Sequence, residues 1–550
     1  METHDPCLLS IRGLTVSLPP QADRPFAVSD LDLDVRHGEC LCIVGESGSG
    51  KSITAQAILD MLPDGLTQTG GEIRFEAEAL PRSRPALMQK LRGSRIGMIF
   101  QEAGTSLDPV MSVGRQIEEL LLVHGIRDAR LRRARSLEMI AAVQLSDPER
   151  IHGYFPHQLS GGQAQRIAIA MALALHPSLL IADEPTTALD VTTQAEILRL
   201  IRALQAETQA GLIFITHDLA VVADIADRVM VMQQGRVVES GTRDAIFARP
   251  RHPYTIQLLE SLPGSHDRPR HAGRGDVLLE ARDISLTYQQ PVGLFKKRPV
   301  HAVRGLSLRL ARGQTHGLVG QSGSGKSSFI KGLLQLEPLS GGTVLLDGVD
   351  VTSGLSRAMR KRIQLVQQDP AGALDPRQTA GYSIAEGAII HGTSPRNAEE
   401  KARRMLDLVG LPQQAYDRFP HEFSGGQKQR ICIARALAVE PEILIADEAL
   451  SALDVSIQAQ ILGLFAELQR KLGFAMLFVT HDLRVAAAIC DEVTVMLKGE
   501  AVEQGPAESV FGDPQHPYTH MLLDCLPDKA GLARTAIERR HRTGTVGEPA

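Results

Sequence analysis

The feature that most constrains this chain is an internal duplication. GESGSGKS at residues 45–52 returns as GQSGSGKS at 320–327, and a stretch of 39 residues that begins at Ser160 returns from Ser424 with about two thirds of its positions identical. The offset between the copies falls from 275 to 264 residues along the chain, as a few loop insertions would produce. A unit of this length is too long for a solenoid repeat, so the sequence predicts two tandem domains.

The junctions between the copies can be placed by composition. Residues 264–275 are polar, rich in Gly and Arg and without an apolar period, which predicts an exposed linker between domains at 1–263 and 276–527. Residues 528–550 have little to bury and are expected to form a flexible tail. Residues 293–299 have no counterpart in the first copy, and we predict that they form an exposed loop between two strands.

Each copy alternates short β-rich apolar runs with longer helical patterns. Residues 40–44 form a buried-strand run that ends at a glycine turn, and residues 51–61 continue with helical spacing. Further runs of strand length lie at 179–182, 212–215 and 229–232, and a helical pattern lies between the first two of them at 194–207. This alternation predicts an α/β fold with a parallel sheet covered on both faces. Cys40 and Cys42 lie on one face of their strand and are expected to be a buried core pair.

Composition excludes several classes of protein. With 43% hydrophobic and 22% charged residues the chain is globular, and a net charge of -5 gives no reason to expect a nucleic-acid partner. Six cysteines show neither CxxC nor disulfide-framework spacing. No uncharged apolar run is long enough to span a bilayer, and the first residues do not resemble a secretory signal. These observations predict a soluble, cytosolic chain.

The repeated octapeptide fits GxxxxGK[S/T], the P-loop pattern, between a strand and a helix. Its glycines let successive backbone N–H groups point inward around anionic oxygens, and the following helix adds the positive end of its dipole. The lysine can reach the β- and γ-phosphates, and the serine hydroxyl can hold Mg²⁺. The candidate phosphate-binding residues are Gly45, Glu46, Ser47, Gly48, Ser49, Gly50, Lys51 and Ser52 in the first copy, and Gly320, Gln321, Ser322, Gly323, Ser324, Gly325, Lys326 and Ser327 in the second.

Paired acids follow a later strand in each copy. LLIADE and ILIADE end in Asp183–Glu184 and Asp447–Glu448. Because side chains alternate along an extended backbone, we expect each aspartate to face a metal shell and each glutamate to face the attacking water. The sequence therefore predicts nucleotide hydrolysis, with Glu184 and Glu448 as catalytic residues.

A third motif narrows the family. The segments that read SGGQ consist of Ser160, Gly161, Gly162 and Gln163, and of Ser424, Gly425, Gly426 and Gln427. They resemble the signature sequence of the ATP-binding cassette (ABC) ATPases, and the resemblance covers about 500 residues in the family's motif order. It implies two tandem ABC ATPase domains, each with a RecA-like parallel-sheet core, an antiparallel β subdomain and a helical signature subdomain.

The resemblance assigns further residues. Gln101 and Gln368 correspond to the Q-loop glutamine, which touches the metal, and His217 and His481 to the catalytic switch histidine. Asp190 and Asp454 close the D-loops Ala188-Leu189-Asp190 and Ala452-Leu453-Asp454. Phe26 and His301 each lie 25 residues before a P-loop lysine and are candidates to stack on adenine, with Tyr288 a rival in the second copy. The implied Mg²⁺ ligands are Ser52, Gln101, Asp183, Ser327, Gln368 and Asp447.

The same resemblance explains why two copies occur in one chain. SGGQ opens a helix and so presents a second anion-binding end. In the family this end caps a nucleotide held by the other domain, which implies an intramolecular pseudo-dimer with one ATP between Lys51 and Ser424 and one between Lys326 and Ser160. Both sites retain the lysine, glutamate and histidine, and both are expected to be competent.

Two segments indicate the kind of ABC protein. PRHPYT at 250–255 and PQHPYT at 514–519, each before a Leu-rich run, resemble the C-terminal region of ATPases from bacterial dipeptide and oligopeptide importers. The resemblance implies two separate membrane-spanning permease subunits, an extracytoplasmic binding protein, and a peripheral position on the cytoplasmic face of the inner membrane. Related systems also carry glutathione and nickel chelates. Only Cys525 lies near the second segment, so no iron–sulfur cluster is predicted.

Two alternatives compete with peptide import. A soluble tandem ABC ATPase that acts on ribosomes would generally have a long charged interdomain helix, whereas the linker here is short. A sugar-uptake ATPase is disfavoured by two intact sites and by HPYT. The peptide importer is therefore the leading hypothesis.

Overall fold

The computed structural model describes residues 7–20, 22, 24–82, 84–101, 103–186, 189–261, 275–292, 296–450 and 453–526. The chain divides into two compact units that correspond to the two sequence copies, except that Asp190–Thr192 group with the second unit. The predicted linker lies outside the described residues except for Gly275, and the predicted tail lies outside them entirely.

The first unit contains ten strands and eleven helices among its described residues. Its strands are β1 (Cys7–Ser17), β2 (Phe26–Arg36), β3 (Cys40–Val44), β4 (Thr67–Phe75), β5 (Glu78–Ala79), β6 (Ile96–Ile99), β7 (Leu179–Asp183), β8 (Gly211–Ile215), β9 (Arg228–Gln233) and β10 (Arg236–Thr242). Its helices are α1 (Lys51–Ile58), α2 (Pro85–Leu91), α3 (Ala103–Ser106), α4 (Val113–Val123), α5 (Ala129–Ala142), α6 (Pro148–His152), α7 (Gly161–Leu173), α8 (Val191–Thr208), α9 (Leu219–Ile225), α10 (Arg243–Ala248) and α11 (Pro253–Glu260).

The second unit repeats this order. Its strands are β11 (Val277–Val292), β12 (Lys296–Ala311), β13 (Thr315–Val319), β14 (Gly341–Leu346), β15 (Val349–Asp350), β16 (Ile363–Val366), β17 (Ile443–Asp447), β18 (Ala475–Thr480), β19 (Glu492–Leu497) and β20 (Glu500–Pro506). Its helices are α12 (Lys326–Leu333), α13 (Arg357–Arg362), α14 (Pro370–Ala373), α15 (Ala380–Ile390), α16 (Pro395–Leu408), α17 (Gly425–Leu437), α18 (Val455–Leu472), α19 (Leu483–Ile489), α20 (Ala507–Gly512) and α21 (Pro517–Asp524).

Each unit is centred on a six-stranded sheet. The strand orders are β10-β9-β3-β8-β7-β6 and β16-β17-β18-β13-β19-β20. Five strands are parallel, and the edge strands β10 and β20 run antiparallel to their neighbours. The P-loop strands β3 and β13 lie inside their sheets and are fully buried, and the continuous apolar sequence of β3 predicts this burial. The predicted α/β fold is confirmed.

A second, antiparallel sheet accompanies each core. The orders are β2-β1-β4-β5 and β12-β11-β14-β15. The prediction of an exposed loop at residues 293–299 was wrong for its second half, because β12 begins at Lys296 and pairs with β11 as far as Val292. The inserted residues lengthen a hairpin whose two strands have 16 residues each; residues 293–295 lie outside the described part of the chain.

Helices α4 to α7 and α15 to α17 form the predicted helical subdomains. In the described ranges no helix combines the length and apolarity needed to cross a bilayer. Helix α1 ends at Ile58 rather than at residue 61, and Asp60 just after it has a left-handed φ of 53°. The cysteine prediction is confirmed, since Cys40 and Cys42 are fully buried with their sulfurs 4.0 Å apart.

One buried histidine distinguishes the second core. His316 on β13 occupies the position of Leu41 on β3 and has no exposed surface. Its Nε2 lies 2.8 Å from Thr494 Oγ1, and its Nδ1 lies 3.6 Å from the half-exposed carboxylate of Glu492. Burial lowers the pKa of His316 from 6.5 to about 4. The neutral imidazole is therefore the form that the fold accommodates.

We expect this histidine to make the protein acid-sensitive. Because its pKa is lower in the folded chain, its full stability contribution holds above pH 6.5 and is lost as the pH falls towards 4. Between pH 7.5 and pH 5 the loss should be about 2 kcal/mol. His316→Leu should reduce the difference in melting temperature between these two pH values, measured by circular dichroism, whereas His520→Leu at an exposed site should not. An undiminished pH dependence in His316→Leu would contradict the assignment.

Candidate nucleotide-binding sites

The two P-loops need glycine where the backbone is crowded. Gly45 has φ 152°, and a β-carbon there would lie 2.2 Å from the carbonyl oxygen of Met232; Gly50 has φ 102°, and a β-carbon would lie 2.7 Å from that of Ala27. Gly320 and Gly325 repeat both conditions in the second unit, with φ 153° and 108°. No residue with a side chain fits these positions without displacing backbone, so the predicted cradle is locked into its shape.

The P-loop lysines are buried and point into their own loops. Lys51 Nζ donates to the carbonyl oxygens of Gly45 at 2.7 Å and Glu46 at 2.9 Å. Lys326 Nζ donates to the equivalent carbonyls of Gly320 and Gln321 at 2.8 and 2.9 Å. Burial lowers the pKa of Lys326, while the carboxylate of Glu448 acts in the opposite sense. Each loop thus holds one cation at the mouth of an anion-binding cradle.

The hydroxyl and the aspartate predicted to hold a metal meet in both units. Ser52 Oγ donates to Asp183 Oδ1 at 3.0 Å, and Ser327 Oγ lies 3.5 Å from Asp447 Oδ1. Burial, with the charge of Glu184 adding to it, raises the pKa of Asp183 to about 6. A hydroxyl and a carboxylate at this spacing are hard oxygen donors, the kind that Mg²⁺ prefers. The donor set fits the predicted ion.

Glu184 lies at the centre of a polar cluster in the first unit. Gln101 Nε2 donates to its Oε2 at 3.0 Å, and His217 Nδ1 lies 3.3 Å from its Oε1. Burial alone would lower the pKa of His217, but the hydrogen bond to Glu184 and that carboxylate's charge outweigh it and raise the pKa. Gln101 and His217, which follow β6 and β8, therefore meet the carboxylate of Glu184, which follows β7.

Glu448 is surrounded in the same way in the second unit. Gln368 Nε2 donates to its Oε2 at 2.9 Å, His481 Nδ1 lies 3.5 Å from that oxygen, and Lys326 Nζ lies 3.6 Å from Oε1. Burial would raise the pKa of Glu448, but His481 and Lys326 together lower it. The carboxylate is thus favoured over the neutral acid.

The two acidic side chains of each pair have different partners because the backbone turns at the glutamate, and not because side chains alternate along an extended strand. Glu184 and Glu448 have left-handed φ values of 46° and 45°, so the backbone turns at the glutamate instead of continuing extended. Their N–H groups donate to the carbonyls of Ile215 and Val479 on the neighbouring strands, both at 2.9 Å. A left-handed residue with a side chain costs about 1–2 kcal/mol, so each unit stores strain at its catalytic candidate.

The signature serines open helices, as predicted. Ser160 and Ser424 are the N-caps of α7 and α17. Each serine Oγ accepts from the glutamine N–H three residues on, and the Gln163 and Gln427 side chains accept from the serine N–H groups at 3.0 Å. These reciprocal bonds form a capping box, which fixes the start of the helix. The serines and the glycines Gly161 and Gly425 are exposed.

The remaining predicted residues of the first group are the D-loop residues and Phe26. Asp454 caps α18 by accepting from Ile457 N–H at 3.0 Å, and Asp190 accepts from the Thr192 hydroxyl at 2.6 Å. Ala188 and Ala452 lie outside the described residues. Phe26 is 37% exposed at the start of β2, one residue before the carbonyl that faces Gly50.

The second-copy adenine candidates differ in exposure. His301 is exposed and bonds Thr287 Oγ1 through Nδ1 at 3.0 Å. Tyr288 is half-buried and packs against the apolar core of its unit. The exposed candidates, Phe26 and His301, therefore occupy the same position in both copies, 25 residues before the P-loop lysine.

One contact of the HPYT segments was not predicted from the sequence. HPYT was interpreted as a proline-started helix with a packed tyrosine, and α11 and α21 do begin at its proline. The hydroxyls of Tyr254 and Tyr518 also accept hydrogen bonds from P-loop N–H groups, those of Glu46 at 3.0 Å and Gln321 at 3.3 Å. Only the recurrence of the motif in both copies signalled a role.

The class of protein follows from where these groups lie. The P-loop, the acid pair, the glutamine and the histidine all follow the carboxyl ends of parallel strands, the edge at which open α/β sheets bind ligands. Each unit is a P-loop nucleoside-triphosphatase domain. Residues 28–187 and 303–451 match the ABC transporter family, and residues 238–283 and 502–549 match the oligopeptide/dipeptide transporter C-terminal region. The chain belongs to the ABC transporter family.

Two relatives of similar length agree with this assignment. The chain is 45% identical over 582 residues to the glutathione import ATP-binding protein GsiA of Salmonella choleraesuis strain SC-B67, which covers 98% of this chain and 91% of the relative. The Escherichia coli K12 protein of that name is 44% identical and covers 94% of this chain and 89% of its own length. A solved structure, cbiO1 from Clostridium perfringens, aligns with 49% of this chain and 98% of its own at 26% identity and a TM-score of 0.40.

These findings confirm the central predictions. ABC ATP-binding proteins bind and hydrolyse ATP, generally with Mg²⁺, so the predicted ATPase activity stands. The transporter-type C-terminal segments and the import relatives support a role in transport, and the alternative of a ribosome-acting ATPase is not supported.

Proposed function

We propose that this chain powers the import of glutathione or a closely similar short peptide from the cytoplasmic face of a bacterial inner membrane. The observation that carries the proposal is near-complete coverage at 44–45% identity with two proteins named as glutathione import ATP-binding proteins. The HPYT segments support the same cargo class, because both lie in matches to the oligopeptide/dipeptide transporter region.

The P-loop residues would bind the triphosphate of ATP in each unit. Lys51 and Lys326 would turn from their own carbonyls to the β- and γ-phosphates. Ser52 and Asp183, with Ser327 and Asp447, would hold Mg²⁺, which when bound neutralises charge on the phosphate oxygens. Gln101 and Gln368 direct their amide nitrogens to the glutamates, and their side-chain carbonyl oxygens would be available as further metal ligands.

The glutamates would act as general bases. Glu184 and Glu448 are held by a glutamine and a histidine, so each carboxylate is oriented before water arrives. The contact with Glu184 raises the pKa of His217, and the ring could donate to a γ-phosphate oxygen. The equivalence of the two clusters supports hydrolysis in both units.

We also propose that the copies act as a pair. The family relationship supports a closed state in which the α17 start caps the nucleotide at Lys51 and the α7 start caps the nucleotide at Lys326. Because ATP would bind the closed state better than the open one, binding would shift the population towards closure and hydrolysis would reverse it. Covalent linkage sets the effective concentration of each partner.

The membrane partners would be two permease subunits that work with an extracytoplasmic binding protein. A cleft of about 200 Å³ in the first unit lies beside the Q-loop and is lined mostly by apolar side chains, among them Met61, Phe100, Leu107 and Met171. Met61 and Phe100 are 45% and 40% exposed. Apolar side chains of a short permease helix would pack in such a cleft, and that contact beside Gln101 would connect transport to hydrolysis.

Reconstitution tests this proposal. The chain should co-purify with two permease subunits, and in proteoliposomes its ATPase activity should rise when the binding protein carries glutathione. Met61→Glu should abolish permease binding, whereas Leu131→Glu, at a residue 57% exposed outside the cleft, should not. Stimulation only by receptor loaded with long oligopeptides would contradict the cargo, and intact binding of Met61→Glu would contradict the docking site.

A further inference from the structure

The tyrosines of the two HPYT segments contact the phosphate-binding loops, although they lie near the C-terminal end of each sequence copy. Tyr254 and Tyr518 are 4% and 7% exposed, so their hydroxyls are held away from bulk water. Their partners are the N–H groups of Glu46 and Gln321, the first variable residues of the two P-loops. The contact occurs within each unit and at the same motif position in both.

The tyrosines are fixed by the turn that precedes their helices. In the first unit the Glu239 carboxylate accepts from the N–H groups of Arg251 and His252 at 2.9 and 3.0 Å, and His252 Nδ1 accepts from Tyr254 N–H at 3.2 Å. In the second unit Glu503, Gln515, His516 and Tyr518 repeat these three bonds at 2.8, 3.2 and 3.1 Å. The segment is therefore tied to β10 or β20 before it contacts the loop.

The peptide group that donates a hydrogen bond to the tyrosine also accepts one from the lysine. The Gly45 carbonyl, which accepts from Lys51 Nζ at 2.7 Å, and the Glu46 N–H, which donates to Tyr254, belong to one planar peptide unit. The Gly320–Gln321 peptide links Lys326 and Tyr518 in the same manner. Rotation of that peptide would move both bonds together, so the hydroxyl restrains the carbonyl that positions the lysine.

We propose that Tyr254 and Tyr518 are positioning residues for nucleotide binding. They act through the Gly45–Glu46 and Gly320–Gln321 peptides, and the inference rests on the proposed role of the P-loops. Loss of the hydroxyl would remove the tyrosine acceptor from a half-buried N–H and let the peptide turn, so the loop would no longer be organised before ATP arrives. The HPYT segment thereby becomes a part of the nucleotide site.

The test isolates one site at a time in the full chain. In a Lys326→Ala background, Tyr254→Phe should weaken the binding of a fluorescent ATP analogue by about five-fold. Amide hydrogen exchange at Glu46 should accelerate in the same variant. The matched control is Leu258→Ala on the same helix, which removes buried apolar contacts and should lower the melting temperature without changing the dissociation constant.

The possible outcomes separate this inference from the proposed site. Unchanged or tighter binding in Tyr254→Phe, with unchanged exchange at Glu46, would overturn the inference. If Lys51→Ala still weakened binding in that background, the P-loop site itself would stand. If Lys51→Ala had no effect, the proposed site and the inference would both fail.

Discussion

The double variant Glu184→Gln, Glu448→Gln should hydrolyse ATP at least 100-fold more slowly than the parent chain while still binding it. An amide keeps the shape of the side chain but cannot accept a proton from water, and general-base catalysis contributes on the order of 10²–10⁴ in rate. The left-handed turns that aim both residues are backbone features, so the substitution leaves them in place. Phosphate release in steady state, with nucleotide binding measured in parallel, checks the prediction.

A carboxylate elsewhere provides the control for this variant. Glu149 is exposed and pairs with Arg133 at 2.7 Å, far from either P-loop in sequence. Glu149→Gln should leave turnover unchanged. Rapid turnover by the double glutamine variant would show that neither glutamate is the base.

The second large effect is expected at the lysines. Lys51→Ala and Lys326→Ala each remove a buried cation from a loop built to bind phosphate, so each should abolish high-affinity binding at one site and leave the other. Titration with a fluorescent ATP analogue should show one site per chain in each single variant. Lys401→Ala, which removes a lysine paired with Glu440, should retain both sites. Two unaffected sites in Lys51→Ala would contradict the assignment.

Much of the fold could be predicted because the chain repeats strong local patterns. The four strand runs predicted in the first copy are continuous and apolar, and they are buried strands within one residue of the predicted limits. The capping box at Ser160 and Ser424 is also local, since it depends on residues three apart. Such features need no knowledge of distant contacts.

The errors arose where distant residues decide local structure. Strand alternation does not apply at Glu184 because its backbone has a left-handed φ of 46°, although its N–H still bonds the Ile215 carbonyl on the neighbouring strand. Residues 296–299 belong to strand β12 because they pair with residues 289–292 of β11. The tyrosine contact could not be foreseen either, since 208 residues separate Glu46 from Tyr254.

The central claim is that one chain contains two complete ATP sites, and the number of nucleotides bound tests it most directly. Equilibrium binding of radiolabelled Mg-ATP to the Glu184→Gln, Glu448→Gln chain, with protein concentration fixed by amino-acid analysis, gives that number. We expect two ATP molecules per chain. A saturating value of one, or none, would contradict it.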